Sequence, residues 1–150
     1  MPVASEPTRR PDLPHTWRPF GVRIAGLFFG AMLLAVCAFA WAGFDAETRA
    51  RFSIFQRGTL VFLGLLFFSA GYAMARSRVV AEAERLVVVN GYRRHDYEWA
   101  EVLAVHLPPG APWAVLDLAD GTSQSAMGIQ GSDGVRARRA VRELRLLLSP

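Results

Sequence analysis

The side chains best suited to acid–base or metal chemistry in this 150-residue chain are three histidines, His15, His95 and His106. His95 and His106 fall in segments that alternate as strands do, and a pair of imidazoles can act as a general base or share a metal ion. A tetrahedral metal site needs three or four protein ligands, and neither a cysteine nor a third histidine stands near them in sequence. They read as ordinary strand residues, and His15 lies in a polar N-terminal segment. Ser123 and Ser125 are candidate nucleophiles without an evident His or Asp partner, and no Gly-x-Ser-x-Gly turn is present. The glycine-rich stretch 128–134 precedes a helical pattern as a phosphate loop would. It lacks the Lys-Ser/Thr of that motif and reads as a plain connection. Cys37 is the single cysteine, so no disulfide can form within the chain. The preceding Leu34-Ala35-Val36 loosely resembles a lipoprotein signal, but Val36 is larger than the small residue such signals place there. No catalytic group, metal site or cofactor is expected.

The remaining candidates are arginines. All 17 basic residues are Arg, and the formal net charge is +4. The charge is scattered, without a basic stripe interleaved with aromatics, so nucleic acid is not an expected partner. The absence of Lys fits a GC-rich genome better than phosphate binding, which commonly mixes Lys with Arg. Two groups stand where lipid contact is plausible. Arg76 and Arg78 close the second apolar run, and Arg93 and Arg94 follow a hairpin signal, with Arg85 nearby. Neighbours on a strand point to opposite faces, and Glu82, Glu84, Asp96 and Glu98 dilute the field. Loose contact between Arg76 and Arg78 and anionic lipid is therefore expected ahead of a dense headgroup site.

These residues must be positioned by two different kinds of structure. Residues 1–20 are rich in proline and read as a disordered tail, with Trp17 expected among lipid headgroups. Residues 21–76 read as a transmembrane hairpin. The uncharged runs 24–44 and 59–75 are long enough to cross a hydrocarbon core of about 30 Å. Ala38-Phe39-Ala40 resembles a cleavage site, yet the apolar run continues beyond it and a second run follows, which favours an uncleaved span. Between them, 45–57 reads as an interfacial amphipathic helix with acids first and arginines last. Gly26, Gly30, Gly64 and Gly71 are small residues that permit close helix packing in lipid. They suit packing within the hairpin, and Gly26 and Gly30 also suit a homodimer.

Residues 77–150 change to alternating periodicity. Strands are expected from Arg78 to Glu82, across Leu86-Val87-Val88-Val89, from Tyr92 to Tyr97, from Val102 to Leu107, from Trp113 to Leu118 and from Thr122 to Met127. Asn90-Gly91 signals a type I′ hairpin, Asp120-Gly121 a second turn, and Trp99-Ala100-Glu101-Val102 one helical turn. Trp99 and Trp113 suit the core or its rim. Asp133 is placed to cap a terminal helix whose apolar stripe is Val135, Ala140, Val141, Leu144, Leu147 and Leu148. The fold class is α+β: a two-helix transmembrane hairpin, then an antiparallel sheet or barrel capped by a C-terminal helix.

Two spans, the Leu86–Gly91 strand and turn, Tyr97-Glu98-Trp99-Ala100-Glu101-Val102, Asp120-Gly121-Thr122 and a terminal helix together resemble the bacterial PH-like domain family. More narrowly, the layout is similar to the actinobacterial two-span membrane PH domain-containing proteins of the low molecular weight protein antigen 6 type. The resemblance covers about residues 17–148 and implies a barrel capped by the last helix. A complete fold of this kind has seven strands, and only six are readable here. It implies a non-enzymatic binding or scaffold module whose partner is a protein or lipid at the plasma membrane. An accessory subunit acting through its spans is the alternative.

Arg9, Arg10, Arg18 and Arg23 precede the first run, and Arg76, Arg78 and Arg85 follow the second. Arg49, Arg51 and Arg57 lie between them. Basic residues favour the cytoplasmic side, so both termini are expected there. A cysteine placed at Ser53 should react with an impermeant thiol reagent added outside intact cells. Labelling at Ser123 instead would invert this topology.

Overall fold

The computed structural model describes residues 9–149. The first eight residues of the expected tail lie outside the described residues. The end of that tail corrects the expectation of disorder. His15–Trp17 forms a strand, β1, immediately before the first apolar helix.

Two helices are long and apolar enough to cross a membrane: α1, Gly21–Gly43, and α3, Ile54–Arg76. A six-residue helix, α2 (Ala46–Arg51), lies between them. The single amphipathic helix expected over 45–57 is thus broken in two. Asp45 caps α2 by accepting from the Thr48 amide, and Ser53 and Gln56 form a reciprocal capping box that starts α3. Each cap starts its own helix, and the second starts α3 five residues upstream of the apolar run. Trp41, Phe44 and Phe52 cluster at this bend, and the Arg57 guanidinium lies over the Trp41 ring at 5.3 Å.

Beyond α3 come β2 (Arg78–Ala81), β3 (Arg85–Asn90), β4 (Arg93–Glu98), a short 3-10 turn (Trp99–Glu101), β5 (Val102–His106), β6 (Trp113–Leu118) and β7 (Ser123–Gln130). A second 3-10 turn (Gly131–Asp133) leads into α4, Val135–Leu148. One sheet has the order β1-β2-β3-β4 and the other β5-β6-β7, with every pairing antiparallel. The seventh strand missing from the sequence reading is β1. It pairs with β2, His15 opposite Ala81 and Trp17 opposite Val79. The helical hairpin is therefore inserted into the β1–β2 connection of the domain.

The core lies between the two sheets and α4. Val79, Leu86, Val88, Val105, Leu116, Ile129 and Leu144 are fully or almost fully buried there. Gly128 sets how closely the sheets approach. A Cβ at this position would sit 2.5 Å from backbone atoms of Arg78, so β7 can cross β2 only with glycine here. Asn90 joins the sheets by hydrogen bonds, donating to the Ser125 carbonyl and accepting from the Met127 amide.

Two local expectations are corrected. The β3–β4 loop is Gly91-Tyr92 rather than Asn90-Gly91, because Asn90 pairs with Arg93 as a strand residue. Only Gly91 has positive φ, +60°, which matches a type II′ turn rather than type I′. On α4 the buried face is Ala137, Ala140, Val141, Glu143 and Leu144, while Val135 is exposed. Leu147 and Leu148 pack partly against the core as expected.

Trp17 is 7 % exposed and belongs to this core, not to a layer of headgroups. Its indole N–H donates to Glu143 Oε2 at 2.9 Å, and Arg139 Nε donates to the other oxygen at 2.9 Å. A buried indole needs such an acceptor, and a buried carboxylate needs such donors. Trp17→Ala should lower unfolding stability by about 3–5 kcal/mol, the range for a large core truncation. Denaturant titration of the purified full chain measures this. A change below about 0.5 kcal/mol, typical of an exposed site, would mean that β1 is not part of the domain.

Candidate functional site at the junction of hairpin and domain

The first four amides of a helix have no partner within it. At α1 the N-cap amide and the first helical amide meet the domain. The N-cap residue, Phe20, offers no side-chain cap. Asp133 supplies one from 112 residues away: its Oδ1 accepts from the Gly21 amide at 2.8 Å and its Oδ2 from the Phe20 amide at 2.9 Å. A carboxylate at this end also complements the helix dipole. Asp133 does not cap α4, as its spacing suggested. Gly134, at φ +56°, is the N-cap residue there and has no side-chain bond. The Arg136 guanidinium stands over the Phe20 ring at 4.0 Å, a second tie between α4 and the start of α1.

The end of α3 is tied in the same way. Ser77 is fully buried; its hydroxyl donates to the Ala73 carbonyl at 3.0 Å and accepts from the Gly91 amide at 2.9 Å. Tyr92, at the tip of the β3–β4 hairpin, reaches Ser69, with its hydroxyl 2.7 Å from Ser69 Oγ and 3.1 Å from the Ser69 carbonyl. The Arg76 guanidinium lies over both the Tyr72 ring, at 5.8 Å, and the Tyr92 ring, at 5.5 Å. Both ends of the helical hairpin are thus held by domain side chains as well as by the β1–β2 ladder.

The arginines singled out in the sequence do not converge. Arg76 is engaged by aromatic rings, and Arg78 is half-buried on β2. Arg93 is exposed beside the hairpin tip. Arg94 instead pairs with Asp96 at 2.7 Å, and Asp96 also meets Arg85 at 3.5 Å, which pairs with Glu82 at 2.7 Å. The Arg94 hydrogen bonds hold the Asp96 carboxyl below its usual range, and Asp96 in turn raises Arg94. Arg85 is raised chiefly by its hydrogen bond to Glu82. This surface network neutralises the cluster that a multivalent phosphate would need.

The candidate catalytic groups are also apart. His95 stacks on Tyr97 on β4, whereas His106 lies on β5 of the other sheet. Ser123 does gain a partner across the sheet, donating to Asp117 Oδ1 at 3.2 Å, and His106 Nδ1 lies 3.4 Å from Asp117 Oδ2. The aspartate stands between them, so the imidazole has no contact with the hydroxyl it would have to activate. Among the described residues no three His, Cys, Asp or Glu side chains are grouped to hold a metal ion. Trp99 and Trp113 are half-buried, and the Trp99 indole donates to the Glu82 and Ala83 carbonyls. Of the small residues, Gly30 alone is tight: a Cβ there would lie 3.1 Å from the Phe68 ring. Gly26, Gly64 and Gly71 have open space where a side chain would stand.

Sequence spacing could not reveal the Asp133 cap or the Tyr92–Ser69 contact, because each joins segments separated by many residues. Asp133→Ala should remove about 1 kcal/mol of stability, the usual worth of an N-cap. Hydrogen exchange should speed up at Phe20 and Gly21, while Asp133→Asn retains most of the protection. Faster exchange at 135–137 with no change at Phe20 would return the cap to α4.

Comparison with known proteins agrees with this geometry. The bacterial PH domain family model matches residues 76–147. An uncharacterised protein of Mycobacterium bovis and uncharacterised proteins of two Mycobacterium tuberculosis strains are each 37 % identical to the chain over 87 residues. The alignment covers 58 % of this chain and 56 % of each relative, so the chain spans little more than half the length of these proteins. No solved structure matches. The match spans six of the seven antiparallel strands and the C-terminal helix packed on them, so residues 76–147 are similar to the bacterial PH domain family in sequence and carry the α+β architecture expected of it.

Proposed function

We propose that the protein is a non-enzymatic, membrane-anchored binding or scaffold module that holds its PH-like domain against the cytoplasmic face of the plasma membrane. The observation that carries this reading is the insertion of the two apolar helices between paired strands. A flexible linker would let a domain sample a wide volume. Here only Arg18, Pro19 and Phe20 separate β1 from α1, and Ser77 alone separates α3 from β2. The domain is therefore held at the hairpin's base in one orientation. Pairing of β1 with β2 supports termini on one side, and the arginine bias favours the cytoplasm. The match to the bacterial PH domain family supports a binding role. Of the lipid-proximal arginines, Arg93 fits best, because its neighbour Tyr92 lies along α3.

The second reading is an accessory subunit that docks on a larger complex through its helices. The open space at Gly26, Gly64 and Gly71 favours it. Chemical crosslinking in native membranes followed by purification of the full chain separates the two. Leu103, exposed on the edge strand β5, is a domain position to alter, and Gly26 a helix position. If the domain carries the binding, Leu103→Arg should reduce partner yield severalfold and Gly26→Leu should leave it unchanged. The opposite pattern would favour the subunit.

A further inference from the structure

A groove of about 590 Å³ runs between α1 and α3 on the half of the hairpin nearest the domain. Gly26 and Phe29 form one wall; Phe67, Gly71 and Met74 form the other. Gly26 and Gly71 have open space at the Cβ position, so neither puts a side chain into the groove that both line. Its lining is almost wholly apolar, and among the described residues Arg23 is the one charged group on it. Arg23 sits in the first turn of α1, is exposed, and has no hydrogen-bond or ion-pair partner among the described residues. Asp133, the acid that meets the start of α1, is engaged by the Phe20 and Gly21 amides.

We infer that this groove is a binding site for one anionic phospholipid, with an acyl chain between the helices and the phosphate on the Arg23 guanidinium. The inference rests on the membrane-spanning reading of the hairpin. An apolar channel that opens at an unpaired cation matches a molecule with an apolar tail and an anionic head. Guanidinium binds phosphate through paired N–H donors, and this contact gains strength at a membrane boundary. The volume lies within the usual range for small-molecule sites, about 300–1,000 Å³. A second copy of α1 fits less well. Close pairing through Gly26 and Gly30 needs both glycines uncovered, and the Phe68 ring of the same chain already covers Gly30. The site also differs from the Arg85, Arg93 and Arg94 surface, where acids neutralise two of the three arginines.

The test uses the full chain in nanodiscs of phosphatidylglycerol and phosphatidylcholine in equal amounts, with lipid retained after gentle release read by native mass spectrometry. Wild type should keep one lipid and favour phosphatidylglycerol by about fivefold, the worth of one basic residue at a membrane surface. Arg23→Gln should abolish the preference while a lipid is still retained, Arg23→Lys should restore most of it, and Gly71→Leu should displace the lipid. Equal retention of both lipids by wild type, or a preference that survives Arg23→Gln, overturns the site. So does a disulfide crosslink from Gly26→Cys to a second copy in high yield, which would make the occupant a helix. Carbonate extraction of native membranes is run in parallel. A chain released by carbonate loses the membrane reading itself, whereas a resistant chain with no lipid preference loses only this site.

Discussion

The pairing of three residues, His15–Trp17, with Val79–Ala81 is the constraint on which the rest of the structure depends. Remove it and the helices lead into the domain from one end only, as an ordinary anchor would. With it, the ends of α1 and α3 are held at neighbouring strands, about 4.8 Å apart in a sheet. The helices must then run side by side away from the domain, and Gly30 lets the Phe68 ring close the space between them. The caps follow from the same placement. Asp133 can reach the Phe20 and Gly21 amides only because β1 delivers the start of α1 to the end of the sheet where α4 begins.

So short a strand has few ladder bonds, and its stability comes from one side chain. Trp17 buries a large apolar surface and places its N–H on Glu143, a carboxylate only 8 % exposed. A buried carboxylate without partners is costly, and here the indole and Arg139 each satisfy one oxygen. The chemistry of α4 and that of β1 therefore depend on each other. Ala at Glu143 leaves the indole N–H without its acceptor, and Ala at Trp17 leaves Glu143 with Arg139 as donor to one oxygen only, so the two residues are coupled rather than independent.

Most of the domain is legible in sequence because each element carries its own local signal. The valine run of β3, the Asp120-Gly121 turn, the Trp99 helical turn and the stripe of α4 are read within a window of a few residues. The exceptions share one cause. β1 is too short to show alternation, is flanked by prolines, and finds its partner beyond the whole helical hairpin. Asp133 precedes a helix and so resembles its cap, yet the amides it meets are on another element. The type of the β3–β4 turn is decided by which residue pairs with Arg93, a matter of register that the Asn-Gly signal alone does not settle. The dilution of the arginines by nearby acids is also visible in sequence. Glu82 with Arg85 and Asp96 with Arg94 are close in sequence, and the contact that the strand pairing adds is Arg85 with Asp96.

The insertion of the helices into the sheet also orders events during synthesis. Sixty residues separate Trp17 from Arg78, the first residue of its partner strand. At roughly 5–20 residues per second, β1 waits about 3–12 s for the strand that completes it. During that time its prolines and its shortness make it a poor template for pairing with another chain. The sheet then closes only when α3 has brought Val79 back beside Trp17. Until then Trp17 lacks the β2 and α4 residues that bury it.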